Sequence, residues 1–272
     1  MLRSMYAGIS GMKNFQTKLD VIGNNIANVN TSGFKKGRVT FQDMMSQMTS
    51  GAQGPSATRG GVNPAQVGLG SQLGSIDNIH TQGFRQTTNS ALDFALEGDG
   101  MFVVKDGDST FFTRAGNFYL DEDGFIVNPQ GFYLQGLNDR SADNSGDFRI
   151  QIPNDAQSFS VQTDGTVNFV DADGNPDVAG QIALANFSNP AGLEKAGGNL
   201  FLNSANAGLN PVYVAPESDG TAKVVSGALE MSNVDLAEEF TEMITAQRGF
   251  QANTRIITTS DEILQELVNL KR

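Results

Sequence analysis

The chain is 272 residues long, with 30 acidic and 18 basic residues, a formal charge of −12 and no cysteine. The missing cysteine excludes disulfides, thiolate metal sites and a cysteine nucleophile, and the acidic balance argues against nucleic acid as a partner. No run of about eighteen apolar residues exists, so membrane insertion is not expected, and Met1-Leu2-Arg3-Ser4-Met5-Tyr6 leads into mixed residues, unlike a cleavable secretory signal.

Apolar residues fall at Met5, Ile9, Met12, Phe15, Leu19, Ile22, Ile26 and Val29, in steps of three or four. That spacing predicts one helical stripe. Gly8, Gly11 and Gly23 each weaken the helix by about 1 kcal/mol relative to alanine, which leaves it marginal alone in water. Thr31-Ser32-Gly33-Phe34-Lys35-Lys36 reads as a helix stop with Gly33 at positive φ. The basic tetrad Lys35-Lys36-Gly37-Arg38 reads as a solvated turn.

Residues 31–74 are expected to form an extended or loop-like connector without a core. They are rich in small residues, as in Ser50-Gly51-Ala52-Gln53-Gly54-Pro55, Gly60-Gly61 and Gly68-Leu69-Gly70, and show no helical period. From 75 to 231 the pattern turns β-like. Short runs such as Phe102-Val103-Val104, Phe111-Phe112-Thr113, Phe125-Ile126-Val127, Phe148-Arg149-Ile150-Gln151-Ile152 and Val167-Asn168-Phe169-Val170 alternate with turn clusters. Asp164-Gly165 and Asp173-Gly174 are the expected hairpin turns.

The C-terminal segment carries apolar residues at seven-residue intervals, Leu236, Met243, Phe250, Ile257 and Leu264, and Phe240, Ile244, Ile263, Leu267, Val268 and Leu270 widen the stripe. Asp235 is the expected N-cap, with Glu238 three residues on, and Lys271 and Arg272 suit the negative end of the helix dipole. The fold class is α+β: paired N- and C-terminal coiled-coil helices with a central all-β, sandwich- or barrel-like domain. The expected division is 1–30 plus 232–272 as a helical inner-core domain, 31–74 as connector and 75–231 as β-rich outer domain. A narrow seam on each of two helices leaves work for further copies of the pair. The residues assigned to that subunit contact are Met5, Ile9, Met12, Leu19, Ile22, Ile26, Leu236, Phe240, Met243, Phe250, Ile257 and Leu264.

Catalytic chemistry finds little support. His80 is the one histidine, so a triad or zinc site would have to be built around it, and it reads as a surface or strand-edge residue. Asp121-Glu122-Asp123-Gly124 and Asp171-Ala172-Asp173-Gly174-Asn175 resemble pieces of calcium loops. Their twelfth positions are Phe132 and Ile182, where an EF-hand needs a bidentate Glu. Glu97-Gly98-Asp99-Gly100 lacks a phosphate-loop pattern. No enzyme activity, metal or cofactor is expected, although a secreted β-domain enzyme with coiled-coil ends and an adhesin-like fibre stay open.

The stretch Leu19-Asp20-Val21-Ile22-Gly23-Asn24-Asn25-Ile26-Ala27-Asn28-Val29-Asn30-Thr31-Ser32-Gly33-Phe34-Lys35 closely resembles the start shared by flagellar rod and hook proteins. Met243-Ile244-Thr245-Ala246-Gln247-Arg248-Gly249-Phe250-Gln251-Ala252-Asn253 is similar to the closing helix of that family, and Ala95-Leu96-Glu97-Gly98-Asp99-Gly100 and Thr113-Arg114-Ala115-Gly116-Asn117-Phe118 are similar to its β domain. The resemblance implies a homo-oligomeric helical polymer with the terminal helices on the inner wall. It implies other axial proteins, in the rod and at the hook–filament junction, as partners. It also implies delivery through the flagellar export apparatus to the hook or basal body outside the cell. The length and ending resemble a hook subunit, a bendable torque-transmitting tube; the distal rod is the alternative. Residues 50–74 are then expected between subunits, tuning stiffness.

Overall fold

Asp235 accepts hydrogen bonds from the backbone N–H groups of Ala237 and Glu238, at 2.8 and 3.4 Å, and so starts the long C-terminal helix α2, Leu236–Asn269. The N-terminal helix α1 spans Leu2–Ala27. The computed structural model describes residues 2–55, 58–107, 109–137, 148–208, 213–218 and 220–270. Lys271 and Arg272, the expected dipole cations, lie outside the described residues, as does Asp108 of one turn cluster. The chain divides into one unit of Met1–Ala27, Gly37–Asn78 and Asp235–Arg272, and another of Asn28–Lys36 and Ile79–Val234.

In the helical unit α1 and α2 run antiparallel. Gly8 faces Ile257, Phe15 faces Gly249, Lys18 pairs with Glu242 at 3.1 Å, and Asn25 donates to Glu239 at 3.2 Å. Gly8 and Gly11, which look like weak points in a lone helix, are where the pair closes, whereas Gly23 faces open space. A Cβ on Gly11 would lie 2.9 Å from the Asn253 amide, and one on Gly249 would lie 2.5 Å from the Phe15 ring. Small residues trade helix propensity for backbone approach.

Residues 31–74, expected as an extended connector, do more than connect. Gly37–Asp43 pairs antiparallel with Ser71–Asn78, and Ser46–Ser50 with Ala65–Gly68. The first pair is anchored on α1 by polar side chains. Asn25 brackets Gly37, accepting its N–H and donating to its C=O, both at 2.9 Å. Asn14 donates to Ser71 at 2.9 Å, and the Phe15 and Phe41 rings sit 6.5 Å apart. Amide groups at single helix positions carry this docking, and no hydrophobic period advertises it.

The β-rich unit is built around the hairpin Met101–Asp106 and Ser109–Thr113. Leu200–Leu202 and Glu194–Gly197 extend it on one side; Tyr133–Leu134, Ile126–Val127 and Tyr119–Leu120 extend it on the other. A second sheet orders Gly136–Leu137, Pro176–Ile182, Thr166–Val170 and Ser158–Val161. Both sheets feed one apolar cluster, in which Phe94, Phe102 and Phe118 pack ring to ring with Leu134, Val167 and Ile182. The two Asp-Gly turns form as read, with Gly165 at φ 77 and Gly174 at φ 82. The run 148–152 does not become a strand: Arg149 and Gln151 make isolated bridges to Gln135 and Phe125.

Candidate assembly surface

Each residue assigned to subunit contact has a definite place in the helical unit. Ile22 is 3% exposed, closed inside the single chain. Met5, Met12, Leu19, Ile26, Met243, Phe250, Ile257 and Leu264 are half-buried along the α1–α2 seam. Ile9, Leu236 and Phe240 are exposed. The seven-residue repeat of α2 thus falls mostly on half-buried positions. The residues left in solvent include Tyr6 on α1, Ile244, Ile256, Ile263 and Leu267 on α2, Phe41 and Met48 in the strands, and Met45 between them. Such a concentration of exposed large apolar side chains is the kind of patch found at interaction sites. The strands Ser46–Ser50 and Ala65–Gly68 are exposed along their whole length.

A different constellation holds the β-rich unit at its chain ends. Lys35 donates to Glu230 at 2.6 Å and to the Thr81 carbonyl at 2.8 Å, with both charged side chains fully buried. Glu230 also accepts from the Gly83 N–H at 3.0 Å and faces the Arg114 guanidinium at 3.5 Å, and Arg114 donates to the Gly98 carbonyl at 2.6 Å. Lys35 is no solvated turn residue, because its charge is neutralised 195 positions away in the chain. Gly33 completes the arrangement. At φ 71, its missing Cβ would lie 2.5 Å from the Ala115 amide nitrogen, so glycine is required both by conformation and by space.

Burial lowers the Lys35 pKa, Glu230 opposes the fall and Arg114 adds to it. Burial lowers that of Arg114 as well, against Glu230 and Asp99. His80 is not the surface residue its sequence suggests. Both ring nitrogens are buried without a hydrogen-bond partner, and the ring packs 5.5 Å from that of Phe201. Its pKa falls to about 4, first through burial and then through the nearby charges of Lys35, Arg114 and Lys195. These groups are arranged to hold structure. Among the described residues no three His, Asp or Glu side chains gather as a metal site. The acidic turns are occupied with their own backbone, as where Asp121 accepts from Glu122 and Asp171 from Ala172.

Sequence comparison adds independent evidence. Residues 95–169 match the flagellar hook protein FlgE/F/G D1 domain, residues 225–270 the flagellar basal body rod FlgEFG protein C-terminal family, and residues 5–35 the flagella basal body rod protein family. The flagellar basal-body rod protein FlgG of Bacillus subtilis is 57% identical over 272 residues, covering 100% of both chains. That of Caulobacter vibrioides is 37% identical over 274, covering 99% of this chain and 100% of its own. The flagellar hook protein FlgE of Borreliella burgdorferi is 32% identical in an alignment of 442 residues that also covers 100% of both chains. On this evidence the chain belongs to the flagellar hook and rod axial proteins, a family of structural subunits and not of enzymes.

Proposed function

We propose that the chain is a distal rod subunit of the flagellar basal body, in preference to the hook subunit that its ending and length first suggest. The observation that carries this is the end-to-end match to a rod protein of the same length: 57% identity over 272 residues. The hook protein of Borreliella burgdorferi needs an alignment of 442 residues to span the same chain. The exposed apolar residues of the helical unit support assembly through that unit, with Ile9, Leu236 and Phe240 among the contacts and the half-buried seam residues lining the join. Polymer formation explains why an isolated chain leaves Tyr6, Phe240 and Ile244 in water. On this reading the chain reaches its place by flagellar export and abuts other axial proteins at each end of its segment.

Electron microscopy of polymer grown from the purified chain tests the proposal. A straight, stiff tube is expected, and a curved, flexible one would restore the hook reading. The doubly exposed pair Ser46–Ser50 and Ala65–Gly68 supports a role between neighbouring subunits. Deletion of residues 51–64 is expected to change the bending stiffness of those tubes. Unaltered stiffness would remove the segment from the contact.

A further inference from the structure

The exposed apolar residues of α2 are not spread evenly around the helix. At about 100° per residue, with Leu236 set to zero, Glu239, Met243 and Ala246 put the α1-facing side near 300° in the first half of the helix. Ile257, Ser260 and Leu264 put it near 275° in the second half, by the same count of roughly 100° per residue. Leu236, Phe240 and Ile244 then fall at roughly 0°, 40° and 80°, on one flank of the seam. Ile256, Ile263 and Leu267 fall at roughly 200°, 180° and 220°, on the opposite flank. All six are at least 40% exposed.

The polar residues follow the reverse pattern. In the second half of α2 the first flank carries Thr258, Glu262 and Gln265, all exposed. In the first half the other flank carries Glu238, Thr241 and Thr245, also exposed. Each flank thus changes from apolar to polar near the middle of the helix, and the two change in opposite senses. A monomer gains nothing from this arrangement, and a helix lying against one partner would need a single stripe.

We infer that the two flanks are the two halves of one head-to-tail contact, in which the Leu236–Phe240–Ile244 flank of each copy covers the Ile256–Ile263–Leu267 flank of the next. The inference rests on the assembly reading above and adds its geometry. The flank centres lie some 23 residues apart, so the next copy is displaced along the helix by roughly 35 Å, at about 1.5 Å per residue. Because each copy offers one flank and receives on the other, the contact is heterologous and repeats without closing into a two-fold dimer. Direct flank-to-flank burial also matches apolar with apolar and leaves both polar half-flanks to solvent.

The absence of cysteine from the chain makes a clean test available. Phe240→Cys and Ile263→Cys chains are polymerised separately and as an equal mixture, then oxidised. Covalent dimers are expected from the mixture and not from either variant alone; Ile244→Cys with Leu267→Cys should behave the same way. Self-cross-linking of a single variant, with none added by mixing, would overturn the inference while leaving polymer formation intact. If the variants fail to assemble, an electron cryomicroscopy map of the unsubstituted polymer decides. Phe240 of one copy is expected against Ile263 of another, and a map placing the two flanks against other surfaces would refute the contact. Failure of the unsubstituted chain to polymerise at all would defeat the assembly reading itself.

Discussion

Phe94, Phe102 and Leu134 are sealed in the β-rich unit, whereas Tyr6, Phe240 and Ile244 of the helical unit stand about half or more in solvent. The β-rich unit covers most of its own apolar surface, with two sheets over one apolar cluster and buried Lys35 and Arg114 beside Glu230. The helical unit has a seam with close approach at Gly8, Gly11 and Gly249, and leaves much of its apolar surface exposed. The contrast separates a unit that covers its own core from one that leaves large apolar side chains in solvent. A unit with a complete core holds its shape in the isolated chain; two helices that each bury one face have less burial to offset their marginal stability.

The largest test of that contrast strikes the closed side. Glu230→Ala leaves Lys35 and Arg114 buried without their counter-charge, and a loss of about 3–5 kcal/mol is expected in the denaturant unfolding of dilute protein. A loss under about 1 kcal/mol would mean that the cluster is well hydrated and that the β-rich unit is less closed than drawn. Next comes acid. His80 titrates near its ordinary 6.5 when unfolded and at about 4 when folded. Between those values the unfolded chain binds the extra proton, so this contribution is complete above pH 6.5 and is lost as pH falls toward 4. His80→Phe, which keeps a ring beside Phe201, should flatten the fall by roughly 2 kcal/mol after allowance for its partial exposure. An unchanged pH profile would contradict the buried setting of the imidazole.

Two glycines then probe the open side with opposite signs. Gly249→Ala drives a methyl into the Phe15 ring and is expected to cost about 1–3 kcal/mol in thermal unfolding followed by helical circular dichroism. Gly23 has nothing within 4 Å of an added Cβ, so Gly23→Ala should stabilise the dilute chain by about 1 kcal/mol. If the same substitution hinders polymerisation, a neighbour's backbone approaches there. The smallest effect belongs to Lys18 and Glu242, a partly exposed pair. Lys18→Ala should cost no more than about 0.5 kcal/mol and lose that difference in high salt.

The sequence was most informative where structure is local. Steps of three and four drew α1 and a seven-residue repeat drew α2, Asp235 marked the start of α2, and Asp164-Gly165 and Asp173-Gly174 marked hairpin turns. Wherever a residue's role depends on a distant partner, reading failed. Lys35 looks solvated because nothing near it announces Glu230, and His80 looks peripheral because its burial comes from elements such as Leu200–Leu202 far along the chain. Strand pairing in 37–78 went unseen because Asn14 and Asn25 anchor it with amides. The heptad at Leu236, Met243, Phe250, Ile257 and Leu264 was legible as an apolar face of α2. Periodicity reports that a face is apolar and is silent on whether the chain itself or a neighbour covers it.

The span of 195 residues between Lys35 and Glu230 sets an order of events. In a chain synthesised from its N-terminus, Lys35 is present long before Glu230 follows. Until then one charge has no buried counterpart, and α1 and α2, at opposite ends of the chain, have no seam. Premature locking is thus blocked by distance alone. Neither the buried charge cluster nor the seam between the terminal helices can close until nearly the whole chain is present.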